Sequence, residues 1–144
     1  LISLKAERPP VLGPAAVEVR HLYIHIPFCL QICPYCSFYK EVAGPGKADP
    51  LVDAIILEAE SARPVGAPRT VFIGGGTPTA LSLGQLERLF EGLGRHIDLS
   101  GVEEFTIEMN PATVTARKAE MLLQSGVNRV SMGVQSWDPV LLRL

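Results

Sequence analysis

The sequence predicts an α/β fold on a parallel sheet and, more narrowly, a partial (β/α) barrel. From about residue 21 onward, short apolar strands alternate with amphipathic helices, an order that builds right-handed βαβ units and a parallel sheet. Four such units are legible, with strands over 22–26, 70–73, 105–109 and 130–134. Element order alone leaves an open doubly wound sheet and a partial barrel indistinguishable. The strand faces favour the barrel. Alternation puts Thr106, Glu108 and Asn110 on one side and Phe105, Ile107 and Met109 on the other. Ser131, Gly133 and Gln135 likewise oppose Val130, Met132 and Val134, and Tyr23 and His25 oppose Leu22, Ile24 and Ile26. Parallel strands covered on both faces read as nearly continuous apolar runs, whereas a barrel with a ligand inside needs one polar or small face.

Taken in order, residues 1 to 20 are Pro-rich and patternless and read as a tail, leaving 21–144 as one domain. The first helix opens with Asp49 as N-cap and Pro50 at the first helical position, and runs to about Ala62 ahead of Arg63-Pro64. Ser82-x-x-Gln85 is a capping-box pattern for the second, which carries Leu86, Leu89, Phe90 and Leu93 at helical spacing. The third follows Thr115 and ends at Ser125-Gly126. Asp138-Pro139 is expected to start a fourth. The sequence starts without Met and stops inside that fourth helix, so it is expected to be the N-terminal part of a longer barrel domain. Without closing strands, the inner face and the last strand's edge should be exposed, and the isolated chain marginal or aggregation-prone.

Bulk properties exclude some partners. The chain has 144 residues and a formal net charge of -2, too little positive charge for a nucleic-acid or anionic-membrane footprint. The N-terminal residues lack the apolar core of a signal peptide, and no apolar run approaches the ~18 residues of a spanning helix. Free thiols without an export signal point to a reducing compartment, the cytoplasm.

All three cysteines, Cys29, Cys33 and Cys36, fall within eight residues. A cubane [4Fe–4S] cluster normally takes four thiolates; three leave one iron open to a small molecule. The odd count disfavours a disulfide framework. Zinc held by three Cys and His25 lacks the usual distant second ligand pair, and a redox Cys33-x-x-Cys36 pair leaves Cys29 unexplained. Spacing alone leaves the open cluster and these alternatives standing together. The loop Ile73-Gly-Gly-Gly-Thr-Pro-Thr follows the second strand. It is neither a P-loop nor a dinucleotide fingerprint, but it allows a ligand to approach backbone at the strand ends where parallel α/β folds place ligands. Glu108 and Gln135 occupy the matching ends of the next two strands. A buried carboxylate needs a partner, either a ligand or a salt bridge from Arg129 or Arg117. His21 and His96 read as solvated.

Four segments now carry a resemblance. Tyr23-Ile-His-Ile-Pro-Phe-Cys-x3-Cys-x2-Cys, Phe72-Ile-Gly-Gly-Gly-Thr-Pro-Thr, Phe105-Thr-Ile-Glu-Met-Asn-Pro and Asn128-Arg-Val-Ser-Met-Gly-Val-Gln-Ser-Trp occur in this order. The chain, over about 22–144, resembles the radical S-adenosylmethionine (SAM) family of oxygen-independent coproporphyrinogen III oxidases and heme chaperones. The resemblance implies about four βα units of a (β/α)6 barrel, with Cys29, Cys33 and Cys36 holding three irons and SAM chelating the fourth. It implies SAM contacts from Tyr23, Tyr35, Gly75, Gly76, Thr77, Glu108 and Gln135. It implies also an electron donor that drives cleavage of SAM to methionine and a hydrogen-abstracting 5′-deoxyadenosyl radical.

Two branches differ in function. One is an enzyme that oxidatively decarboxylates coproporphyrinogen; the other carries heme as cargo to an acceptor protein, so whether the chain is an enzyme stays open. The oxidase branch resembles C-x3-C-x2-C-x-C, whereas this chain has Phe38 at the last position. It also carries a long arm before the cluster loop, where this chain has 28 residues before Cys29. Both differences favour the heme-chaperone branch, with the oxidase or another tetrapyrrole enzyme as the alternative. Phe38 is expected to pack beside the cluster and shield it. The parts that handle the tetrapyrrole are expected beyond residue 144.

Overall fold

A computed structural model describes residues 18–62 and 66–143. The expected tail lies outside these residues except for its last three positions. Among the described residues six strands and three α-helices follow in the order β1 (His21–Ile26), β2 (Phe28–Cys29), β3 (Glu41–Val42), α1 (Ala48–Ala62), β4 (Thr70–Gly75), α2 (Leu83–His96), β5 (Glu104–Met109), α3 (Ala116–Gln124) and β6 (Arg129–Met132). Four strands form one parallel sheet in the order β1-β4-β5-β6, and β2 pairs with β3 in a small parallel ladder. Sequential order across the sheet, with no strand reversing direction, is the order of a barrel wall. A doubly wound sheet would reverse its strand order at a switch point.

Register settles which side chains share a face. Tyr23 lies opposite Phe72, and Phe72 opposite Thr106. Thr106 in turn lies opposite Arg129, and Glu108 opposite Ser131. These residues form the face away from the helices. On the other face Ile24, Ile26, Val71, Ile73, Phe105 and Ile107 join Val52 and Ala59 of α1 and Leu86, Leu89 and Leu93 of α2 in one buried core. The Phe105 ring packs on Phe90 of α2 with centroids 5.4 Å apart. Alternation in the sequence and burial in the fold therefore agree for β1, whereas on β5 Thr106 is fully buried although it lies on the face away from the helices.

The helices begin and end for local reasons. Ser82 caps α2 reciprocally: its hydroxyl accepts from the Gln85 N–H at 3.2 Å, and its own N–H donates to Gln85 Oε1 at 2.9 Å. Thr115 caps α3 by accepting from the Lys118 N–H. That helix closes in a Schellman motif, with Val127 N–H donating to Leu122 O, Gly126 N–H to Leu123 O, and Gly126 at φ 90°. The opening of α1 differs slightly from expectation. The helix already includes Ala48, and the Asp49 carboxylate accepts from Arg88 of α2 at 2.9 Å and from Gln85 at 3.3 Å. Asp49 thus joins the two helices.

Two expectations at the C-terminal side fail. The strand expected over 130–134 ends at Met132, because Val134 N–H turns back to Met132 O and Ser136 N–H to Val134 O. In place of a fourth α-helix, the segment after Asp138 makes only a short 3-10 turn over Leu141–Arg143. Val130 and Met132 on β6 are about half exposed, and Trp137 after it is 89% exposed.

Replacing Ser82 by Ala should remove the hydroxyl that accepts the Gln85 N–H, while leaving the backbone N–H bond to Gln85 Oε1, and cost about 1 kcal/mol. Ile107→Ala, at a fully buried site, should cost about 2–5 kcal/mol. Denaturant unfolding of each variant beside the wild-type protein checks both values.

Candidate functional site

The three cysteines belong to a loop fixed at its base. The β2–β3 pairing is extended by Glu41 N–H to Pro27 O at 2.8 Å and Ala43 N–H to Cys29 O at 2.7 Å, so the segment between them projects beyond the C-terminal end of β1. Within it Cys36 N–H donates to Cys33 O at 3.1 Å, forming a tight turn. All three thiols are free and half-buried.

The glycine loop after β4 is laid directly against this base. Gly76 N–H donates to Ile26 O at 2.9 Å and Thr77 N–H to Phe28 O at 2.7 Å. Gly75 sits at φ 119°, and a Cβ there would come within 2.7 Å of the His25 ring. A Cβ on Gly76 would lie 2.8 Å from the Pro27 carbonyl and 2.9 Å from Cys29 Sγ. A side chain at either position would therefore push the two loops apart. The Thr77 hydroxyl donates to Cys29 Sγ at 3.7 Å, a weak contact that nevertheless aims the first thiol at the glycine loop.

Glu108 completes the contact from β5. Its Oε2 accepts the Gly75 N–H at 3.0 Å. The partner is thus a backbone amide, not Arg129, whose guanidinium pairs with Glu104 at 3.4 Å. Its second oxygen, Oε1, makes no hydrogen bond among the described residues. On β1 the Tyr23 hydroxyl and His25 Nδ1 are 2.8 Å apart. The Tyr23 phenol pKa is raised, first by burial and then by the negative charge of Glu108. Phe72, which the sequence reading passed over, stacks on Tyr23 at 6.1 Å and forms the floor between β1 and β5. Its position opposite Tyr23 depends on register, which no local pattern reveals.

Tyr23, Gly75, Gly76, Thr77 and Glu108 are thus brought together beside Cys29, while two other expected residues stand apart. Gln135 lies past the end of β6 in a left-handed conformation, φ 68°, exposed, with its amide folded over Gly133. Tyr35 is 69% exposed on the cysteine loop. Its pKa is raised, first by a hydrogen bond with Cys33, then by desolvation and the neighbouring thiols. Phe38, expected to be packed, is 74% exposed, and of this residue it is the backbone carbonyl, engaged by Lys40, that is held in the loop. His21 meets Thr70 at 2.9 Å at the far end of β1, and His96 ends α2; neither reaches the site. A cavity of ≈ 560 Å³ that Tyr23 and His25 help to line wraps β1 toward Leu51 and Ile55 of α1, away from the glycine loop.

Behind the glycine loop, Lys118 of α3 donates to the carbonyls of Thr79 and Thr113, at 2.7 and 3.1 Å. It thereby joins the loops that follow β4 and β5. Burial lowers its pKa.

Among the described residues no three His, Cys, Asp or Glu side chains close on a single metal ion. A cubane does not require that, since each thiolate meets a different iron. Thiolates are the ligands that iron–sulfur clusters take, and the Gly76 cradle leaves the first thiol room beside the backbone. The donor set fits such a cluster.

Comparison with known proteins agrees with this geometry. Residues 23–144 match the model of the radical SAM superfamily. The chain is 42% identical over 121 residues to the heme chaperone HemW of Lactococcus lactis subsp. lactis, covering 84% of this chain and 32% of that protein. It is 41% identical over 128 residues to HemW of Bacillus subtilis, covering 86% and 34% respectively. The solved coproporphyrinogen III oxidase HemN of Escherichia coli, a radical SAM enzyme, superposes with a TM-score of 0.78 at 32% identity, covering 92% of this chain and 31% of that one. The chain belongs to the radical SAM superfamily, whose members generally bind a [4Fe–4S] cluster and SAM. It spans about a third of the length of the curated relatives it matches.

Gly76→Ala should lower iron incorporation several-fold on anaerobic reconstitution by displacing Pro27 and Cys29. Gly84→Ala, where an added Cβ meets nothing within 4 Å, should leave it unchanged. Iron assays on the folded variants, verified by circular dichroism, check the contrast.

Proposed function

We propose that Cys29, Cys33 and Cys36 hold three irons of a [4Fe–4S] cluster and that SAM binds against the glycine loop. The observation that carries this reading is the seating of Cys29 Sγ against Gly76 and Thr77. That seating supports the reading because the cysteine loop and the backbone of the glycine loop meet there. When bound, the cluster supplies a low-potential electron to SAM. The chain's own groups bind and orient. Backbone at Gly75 and Gly76 lets the cofactor approach closely, and Thr77 offers a hydroxyl. Glu108 has one oxygen fixed by the Gly75 amide, which leaves Oε1 for a ribose hydroxyl or an ammonium. Tyr23 and Phe72 provide an aromatic floor. Tyr35 and Gln135 would join only by moving inward as the cofactor orders their loops.

The whole protein is, in this reading, a heme chaperone that keeps the cluster and SAM site and passes heme to an acceptor. It is supported by Phe38 at the position where the oxidase branch places a further cysteine, and by 41–42% identity to proteins named heme chaperones. The fold likeness to coproporphyrinogen III oxidase at 32% identity supports the second reading, an oxidative decarboxylase of coproporphyrinogen. No helix among the described residues is long and apolar enough to cross a membrane.

Anaerobic reconstitution of the full-length protein should give about four irons per chain, and SAM should perturb the reduced cluster's EPR signal. Cys29→Ala, Cys33→Ala and Cys36→Ala should each abolish stable assembly, since two thiolates cannot hold the cubane. Stoichiometric zinc without iron would sink this assignment. Titrated heme should bind stoichiometrically while coproporphyrinogen III turnover stays negligible. Robust formation of protoporphyrinogen would instead establish the oxidase reading and leave the cluster site standing.

A further inference from the structure

Lys40 is the only Lys or Arg between Arg20 and Lys47, and the cysteine loop lies wholly within that interval. Its ammonium is turned back into the loop, where Nζ donates to the carbonyl of Cys36 and, at 3.1 Å, to that of Phe38. The side chain is half-buried, unlike its exposed neighbours Phe38 and Tyr39. No carboxylate pairs with Lys40 among the described residues; the adjacent Glu41 is engaged by Lys47 at 3.1 Å. A positive charge without an ion-pair partner is therefore fixed at the third cysteine, in a loop that carries three thiols.

We propose that Lys40 is a positioning residue that sets the reduction potential of the cluster held by this loop, an inference that rests on the cluster assignment above. Reduction adds one negative charge to a centre already ringed by thiolates, and cluster potential responds to nearby charge, hydrogen bonding and solvent exposure. A cation held beside the Cys36 peptide favours the reduced form and raises the potential. Because two carbonyls fix the ammonium, the charge stays at the cluster edge instead of extending into solvent. The same two bonds hold the Cys36–Phe38 turn in shape, so charge and shape must be separated experimentally.

The test uses the full-length protein, reconstituted anaerobically, with Lys40→Arg, Lys40→Gln and Lys40→Met beside wild type. Lys40→Gln keeps a donor without the charge, and Lys40→Met keeps the length without either. Iron per chain and the midpoint potential from an EPR-monitored titration are read for each. All four proteins should retain the same iron content. Lys40→Arg should keep a potential near wild type, and Lys40→Gln and Lys40→Met should both shift to more negative values. Added salt should shrink the difference by screening. Unchanged potentials in Lys40→Gln and Lys40→Met overturn the proposal while leaving the cluster assignment intact. Loss of iron from both neutral variants makes Lys40 a purely structural clamp and also overturns it. A wild-type protein that assembles no iron overturns the cluster assignment itself, and this inference with it.

Discussion

The close approach of two loops at the end of the sheet is the constraint on which the rest of the site depends. Gly75 and Gly76 can lie against His25, Pro27 and Cys29 only because neither carries a Cβ. Backbone hydrogen bonds from Gly76 to Ile26 and from Thr77 to Phe28 then continue the β1–β4 pairing past the sheet and into the base of the cysteine loop. The sheet, in effect, extends its own register into the site. Glu108 secures the arrangement from the third strand by accepting the Gly75 amide, which otherwise would lose its partner where the ladder stops.

Everything behind that contact keeps the three strands in register. Ile24, Ile73 and Ile107 are buried on one side of the sheet against α1 and α2. A slip of one residue would turn those side chains to the open face and bring Glu108 into the core. The apolar cost of such a slip is what holds Tyr23, Phe72 and Glu108 on the site side. The two helices are in turn joined by Arg88 and Asp49. Lys118 braces the far side of the glycine loop through two backbone carbonyls. The polar groups around the site are thus mostly engaged in holding backbone, which leaves few side-chain atoms, Glu108 Oε1 among them, for a ligand.

The wall formed by β6 is of a different kind. It pairs fully with β5 through four residues, yet its side chains are exposed on both faces. Gln135 is placed not by the sheet but by successive turns after Met132. The expectation that it continues the polar face of β6 assumed that a strand continues as long as its alternation does. Strand pairing stops here when the Gly133 N–H makes its bond to Met109 O, at the end of β5, and the alternation beyond has no partner to give it meaning.

Local chemistry determined much of this protein from the sequence alone. The Ser82–Gln85 box, the Thr115 cap and the Gly126 terminus each depend on side chains within a few residues of one another, so the sequence could specify them without knowledge of the fold. Alternation in 105–109 identified the face of Glu108 for the same reason, whereas the cysteine spacing by itself left an open cluster beside zinc and redox readings of the loop. What only the tertiary structure decided involves distant partners. Glu108 bonds to a backbone amide 33 residues away, and Phe72 becomes the neighbour of Tyr23 through register. Local patterns fix which way a side chain points along its own element. Which group it meets is fixed by strand order and loop closure, and those are set by burial of the whole core.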